Sequence, residues 1–325
     1  MQFLDKYQKL FEAYLHKQLL QREPAGLYEP VNYIMQLGGK RIRPILSLLA
    51  YRIFRTDVET ALPLAYAVEL FHNFSLVHDD IMDEAPLRRG KPSVHTRWDV
   101  NTGILSGDAM LILTYDYLMH FGSQPCFPDL LRVFNRTSLE VCEGQQMDME
   151  FEKRMEVKEE EYLKMIELKT AALLGGALEL GSIAAGAGPE DAARLAAFGR
   201  NIGIAFQLQD DILDTFGDPQ KFGKKVGGDI VQNKKTFLVI KALEKANAAQ
   251  RRRLEQLMSG PAADEAAKIR AVMEIFEALD VKELAITTKE TFQDKALANL
   301  ASIGGEAEPK EELRDLAEAL LVRGY

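Results

Sequence analysis

Apolar residues recur at spacings of three and four along almost the whole chain, and period-two alternation is rare, so the pattern predicts helices throughout. The expected segments are 3–20, 28–37, 42–53, 59–83, 101–121, 128–154, 159–185, 190–216, 232–246, 249–258, 262–279, 282–302 and 307–322. Breaks fall where glycine and proline collect, at Gly38-Gly39, Ala85-Pro86, Ser123-Gln124-Pro125, Gly186-Ala187-Gly188-Pro189 and Gly217-Asp218-Pro219. No Pro- or Ser-rich linker divides the chain and no solenoid-length repeat appears. One large all-α domain spanning 1–325 is the expected organisation.

Two of these helices end on the same acidic pattern. The 59–83 segment closes with Asp79-Asp80-Ile81-Met82-Asp83, and the 190–216 segment with Asp210-Asp211-Ile212-Leu213-Asp214. Positions i and i+4 share a helix face, so Asp79 stacks with Asp83 and Asp210 with Asp214. Like charges at that spacing destabilise a lone helix, and carboxylates near a C-terminus also meet the negative end of the dipole. One such motif could be a solvated face. Two, each closing a strongly apolar helix, are a local violation of the kind that gathers at functional sites. The oxygen-only donor set suits hard cations such as Mg²⁺, which keep several waters and are completed by substrate phosphates. If the two helices face each other across a cavity, a polyanion would sit between two metal-binding walls.

Cations stand close to these motifs in sequence. Pro86-Leu87-Arg88-Arg89-Gly90-Lys91-Pro92 follows the first as a turn with adjacent arginines. Lys221-Phe222-Gly223-Lys224-Lys225-Val226-Gly227-Gly228-Asp229 follows the second, and then Asn233-Lys234-Lys235-Thr236. Upstream, Gly38-Gly39-Lys40-Arg41-Ile42-Arg43-Pro44 is expected to place Lys40 and Arg43 on the first turn of a helix, where they could bracket a second anion. Glycine lets a backbone approach phosphate closely, and Lys and Arg supply charge-assisted hydrogen bonds to its oxygens.

Composition narrows the field. A chain of 325 residues with 47% hydrophobic content can bury a large core. A net charge of −9 and a pI near 5.3 argue against a nucleic-acid surface, which needs a basic face. Cys126 and Cys142 have neither zinc-site nor disulfide-framework spacing and are expected as free core thiols in a reducing compartment. The N-terminal segment lacks the basic start and uninterrupted apolar run of a secretory signal, and no stretch is long enough to span a bilayer. A cytoplasmic protein is expected.

With the ordered motifs GGKRIRP, HNFSLVHDDIMDEAPLRRG, EGQQMD, Lys169-Thr170, FQLQDDILD and GKKVGGD, the chain resembles the trans-isoprenyl diphosphate synthases of the polyprenyl synthetase family, and within it the short-chain farnesyl and geranylgeranyl diphosphate synthases. The resemblance implies a single-domain isoprenoid-synthase helical bundle around a deep central cavity, usually a homodimer. It implies a prenyltransferase that condenses isopentenyl diphosphate with an allylic diphosphate (dimethylallyl, geranyl or farnesyl). Asp79, Asp80, Asp83, Asp210, Asp211 and Asp214 would carry Mg²⁺, three ions per site, with Mn²⁺ as a substitute. Arg88, Lys169, Thr170, Gln207, Lys224 and Lys234 would surround the allylic diphosphate, with Asp148 orienting one of the lysines. Lys40, Arg43, His72 and Arg89 would hold the diphosphate of isopentenyl diphosphate. Lys225 competes with Lys224 for the phosphate, and Arg323 is a loose match to a basic tail covering the isopentenyl site. Phe74, Ser75 and Phe71, on the helix before Asp79, would form the chain-length floor, a pattern leaning to a C20 product with C15 behind it. The alternatives are a class I terpene cyclase and the non-catalytic subunit of a two-component synthase. The second aspartate motif, GGKRIRP and Arg88-Arg89 speak against the first; retention of all the aspartates speaks against the second.

Overall fold

The structure, a computed structural model, describes residues 2–154, 156–218, 226–260 and 264–321. Helices run nearly end to end: Gln2–Lys17, Ala25–Gln36, Ile42–Arg52, Leu62–Met82, Val94–Arg97, Val100–Leu118, Phe127–Lys153, Glu159–Ile166, Ala172–Ala184, Pro189–Phe216, Gly228–Val231, Phe237–Lys245, Ala248–Leu257, Glu265–Ala278, Val281–Ala301 and Ala307–Leu321. The all-α expectation holds, with helix ends within a few residues of those read from periodicity. Among the described residues no helix is long and apolar enough to cross a membrane.

Four local features depart from the periodicity. Leu87–Arg88 pairs antiparallel with Lys91–Pro92, a two-residue hairpin too short to leave an alternating pattern. Its turn residues Arg89 and Gly90 both have positive φ (53° and 75°), the geometry that matches strand twist in a tight hairpin. Glu167–Ala171 forms a π-helical turn inside the expected 159–185 helix. Lys40 precedes helix Ile42–Arg52 rather than lying on its first turn, because the Gly38, Gly39 and Arg41 φ values of 78°, 126° and 51° curl the chain first. The expected 232–246 helix begins only at Phe237, since Asn233 turns left-handed at φ 59°. Cys126 and Cys142 are free, but Cys142 is exposed rather than in the core.

The chain folds into two compact units, one from 2–138, 176–196 and 303–313, the other from 139–175, 197–302 and 314–321. In the first, helix Leu62–Met82 packs along helix Val100–Leu118, whose Gly103 and Gly107 face it. A side chain at Gly103 would lie 2.9 Å from Ile81, and one at Gly107 only 2.3 Å from the His78 ring. That ring bonds the Ile104 carbonyl at 3.1 Å. The second unit closes over Phe151, Leu208, Phe237, Leu254, Val272 and Phe276.

Candidate active site

In the first unit, Asp79 and Asp80 occupy the last turn of helix Leu62–Met82 and Asp83 is its C-cap. Asp80 is only 1% exposed, and its carboxylate accepts from Arg88 Nε at 3.0 and 3.1 Å. The middle aspartate thus anchors the arginine hairpin. Tyr33 donates its hydroxyl to the Pro92 carbonyl at 2.7 Å, and Arg89 donates to the Gly38 carbonyl. The hairpin and the glycine turn before Lys40 are therefore tied together.

Beside them lies a cluster of cations short of counter-charge. Arg41 is buried and gives its guanidinium to Glu69 at 2.6 Å and to the Met35 carbonyl at 2.5 Å. With Glu69 engaged there, Arg43 points at His72, 3.2 Å away, which accepts as a neutral ring. Arg43 Nε is buried without a hydrogen-bond partner among the described residues. Burial lowers the Arg43 pKa to about 10, with Arg89 adding and Glu69 opposing. Burial, then the charges of Arg43, Arg89, Arg88 and Arg41, hold His72 well below its ordinary value. Buried donors repelling one another around an unmatched N–H favour an incoming anion.

In the second unit, Asp210, Asp211 and Asp214 lie toward the end of helix Pro189–Phe216. Asp211 is buried and accepts from the Tyr162 hydroxyl at 2.5 Å, the Phe237 N–H at 3.2 Å and Gln207 at 3.4 Å. Burial, aided by the Asp229 charge, pushes its carboxyl up to about 7 against those donors. Asp214 accepts the Asp229 N–H at 3.0 Å, and Asp229 pairs with Lys234 at 3.4 Å. The π-turn carries Lys169, bonded to Asp148 at 2.5 Å, and Thr170, which donates to Gln207 at 3.3 Å. Arg200 holds Glu167 at the start of that turn and also Glu140. A side chain at Gly144 would meet the Lys169 backbone nitrogen at 2.2 Å, so the glycine of EGQQMD lets the π-turn sit against helix Phe127–Lys153. Lys224, with Lys225, and Arg323 lie outside the described residues.

No group of three or more His, Cys, Asp or Glu side chains is drawn together as a ready metal site among the described residues. The two motifs offer oxygen donors only, the kind Mg²⁺ takes, one or two carboxylates with other positions left to water and phosphate oxygens. Among the six aspartates, Asp80 is held by Arg88, Asp211 by Tyr162 and the Phe237 N–H, and Asp214 by the Asp229 N–H.

Below the first motif, aromatic rings follow one another in edge-on and tilted contacts. Centroid separations are 4.8 Å for His78–Phe74, 5.5 Å for Phe74–Phe71, 5.4 Å for Phe71–Phe134 and 5.2 Å for Phe134–Tyr115. Ser75 turns its hydroxyl back to the His72 carbonyl at 2.8 Å and adds no bulk.

Residues 24–276 match the sequence profile described as Polyprenyl synthetase. The chain belongs to the polyprenyl synthetase family. A "Short chain isoprenyl diphosphate synthase" of Methanothermobacter thermautotrophicus is 37% identical over 325 residues, covering 100% of this chain and 99% of the relative. Among solved structures, one titled as a geranylgeranyl pyrophosphate synthase superposes with a TM-score of 0.93 at 44% identity, over 98% of each chain. A geranylgeranyl pyrophosphate synthetase from Pyrococcus horikoshii gives 0.92 at 34% identity, over 98% of this chain and 97% of that one. For this polyprenyl synthetase, sequence reasoning missed Glu69, Tyr162 and Phe134, and gave Asp229, inside GKKVGGD, no role of its own. Glu69 left one signal, a carboxylate inside a strongly apolar helix, which demands a buried cation. Tyr162 and Phe134 left none.

Proposed function

We propose that this chain is a short-chain trans-prenyltransferase that joins isopentenyl diphosphate to an allylic diphosphate. The observation that carries it is the Arg43–His72 cluster, with its orphaned Nε. It is a second anion site, of no use to a terpene cyclase, which takes a single diphosphate. Lys40, Arg43, His72 and Arg89 hold the diphosphate of isopentenyl diphosphate. Asp79, Asp83, Asp210 and Asp214 would hold the divalent ions that accompany the allylic diphosphate, Mg²⁺ by preference, three per site, with Mn²⁺ able to replace it. When bound, these ions neutralise charge on the departing phosphate. Asp80 and Asp211 complete the two motifs by fixing Arg88 and the start of helix Phe237–Lys245.

Arg88, Lys169, Lys224 and Lys234 donate to the diphosphate, and Thr170 and Gln207 complete its surroundings. Arg88 and Lys169 each have one carboxylate partner and keep further N–H donors for phosphate oxygens. Such preplaced donors favour charge that grows as a bond breaks. The allylic carbon–oxygen bond cleaves and its electron pair leaves with pyrophosphate. The C3–C4 double bond of isopentenyl diphosphate then forms the new carbon–carbon bond. A proton leaves the adjacent carbon for the released pyrophosphate. Water must be kept from the allylic cation.

The test is incubation with isopentenyl diphosphate, each allylic starter in turn and Mg²⁺, with dephosphorylated products sized by chromatography. Elongation, mainly to geranylgeranyl (C20) and next to farnesyl (C15), is expected. Cyclic hydrocarbon would favour the cyclase, and no turnover the silent subunit. In the same assay Phe74→Ala should lengthen the product by at least one isoprene unit, because it removes the ring that lies between His78 and Phe71. An unchanged length would dismiss the floor.

The family match runs across both units, which supports their acting as one synthetase domain. Helix Val100–Leu118 and the turn after it expose Leu105, Ile112 and Met119, seven apart, at 60%, 66% and 59%. An apolar stripe at this spacing suits a second copy of the chain. Sedimentation should give a dimer for the wild type and a monomer for Ile112→Arg; a monomeric wild type excludes that pairing. The two free cysteines support a reducing compartment, and with it the cytoplasm.

A further inference from the structure

Lys268, on helix Glu265–Ala278 in the second unit, is only 5% exposed. Its ammonium donates to Asn233 Oδ1 at 2.5 Å, to the Val231 carbonyl at 3.4 Å and to the Gly260 carbonyl at 3.5 Å. All three acceptors are neutral. Asn233 in turn donates Nδ2 to the Gly260 carbonyl at 3.2 Å, and its own carbonyl accepts from Lys235 at 3.2 Å. It is therefore gripped on side chain and backbone in a left-handed conformation, which asparagine tolerates better than most residues. One residue beyond Lys268, Ile269 fits beneath Gly227, whose φ is 83°; a Cβ there would fall 2.8 Å from the Ile269 side chain.

An ammonium buried among neutral oxygens is an expensive way to fill a core. Burial, with the nearby Lys235 charge adding, lowers the Lys268 pKa. A methionine of similar length would occupy the space without that penalty. What the ammonium grips explains its presence. The segment between Gly227 and Lys234 is tied to the second aspartate motif at its other face. Gly227 N–H bonds the Asp214 carbonyl at 2.6 Å, Asp229 N–H bonds the Asp214 carboxylate at 3.0 Å, and Lys234 N–H bonds the Asp229 carbonyl at 2.9 Å. The turn is thus held from one side by a proposed metal ligand and from the other by Lys268.

We propose that Lys268 is a positioning residue for the allylic diphosphate, acting through Asn233 to hold the turn that presents Asp229 and Lys234 beside Asp214. The proposal rests on the prenyltransferase reading above. Three directional donors fix the turn in register, which a thioether cannot do. Loss of the ammonium leaves the turn's bonds to Asp214 intact, so the fold survives while Lys234 loses its fixed height.

The experiment compares wild type, Lys268→Met, Asn233→Ala, Asn233→Asp and the Lys268→Met/Asn233→Ala double variant. Each substrate is varied in turn at saturating Mg²⁺, with thermal unfolding followed in parallel. Lys268→Met should raise KM for the allylic diphosphate about tenfold, as loss of a supporting hydrogen bond around a bound ligand does, and leave KM for isopentenyl diphosphate within about twofold. Asn233→Ala should reproduce that split, and the double variant should add little to it, since both act through one contact. Asn233→Asp, which keeps the acceptor for Lys268 but gives up the Nδ2 bond to Gly260, should fall between wild type and Asn233→Ala. Should Lys268→Met fail to fold, Asn233→Ala carries the same test. Unmoved KM values, an equal rise in both, or additive effects in the double variant would overturn the positioning role while leaving the prenyltransferase reading intact. A wild type that elongates no prenyl diphosphate would overturn both.

Discussion

Asp79→Ala should lower kcat for chain elongation by about 10²–10³-fold, the range seen when one preplaced group that stabilises departing charge is lost. The expectation rests on geometry as much as on the motif. Asp80 beside it is spent on Arg88, so alanine at 79 removes a carboxylate that no neighbour on the helix replaces except Asp83, one turn on. Melting curves of the variant separate a lost carboxylate from a lost fold. EDTA added to the wild type should abolish turnover, and excess Mg²⁺ should restore it. Steady-state rates alongside melting curves decide the matter. Full activity in both the variant and the chelated enzyme would remove the metal role.

Glu69→Ala carries the largest expected loss of stability, about 3–5 kcal/mol, the usual consequence of stranding one partner of a buried ion pair. The Arg41 and Glu69 side chains are only 3% and 2% exposed, and Arg41 already has an unpartnered Nε. Without the carboxylate its charge would face only the Met35 carbonyl, in a region already crowded by Arg43 and Arg89. The pair also links the curled segment before helix Ile42–Arg52 to helix Leu62–Met82, one turn ahead of His72. The damage should therefore reach the Arg43–His72 cluster. A joint replacement, Arg41→Met with Glu69→Leu, should recover much of the loss, since an apolar pair can substitute for a buried ionic one. Urea unfolding measures all three proteins. A Glu69→Ala loss below about 1 kcal/mol would show the pair to be dispensable.

Much of this molecule was legible in its sequence because helices write their period into it. Helices Leu62–Met82 and Pro189–Phe216 could be read almost to their ends, and the aspartates at those ends stood out against apolar surroundings. What stayed hidden depends on tertiary contact. The hairpin at Arg88 has no periodic signal; its shape comes from positive φ at Arg89 and Gly90 and from Tyr33, distant in sequence. The π-turn at Lys169 follows from packing against Gly144 and the grip of Arg200 on Glu167, neither of which alters local spacing. Within the DDxxD pattern, spacing alone could not separate the aspartates. Burial does so, giving Asp80 to Arg88 and Asp211 to Tyr162.

Gly103 and Gly107 have a bearing on how product size can change. With their backbone pressed against Ile81 and His78, helices Leu62–Met82 and Val100–Leu118 have no slack in which to slide. The distance from Asp79 to any ring beneath it is then a constant of the scaffold. On the proposed reading, tail length is then a discrete variable, altered one side chain at a time at Phe74, Phe71 or Phe134 while the carboxylates stay in place. A lineage could explore chain lengths in whole isoprene steps without retuning its chemistry.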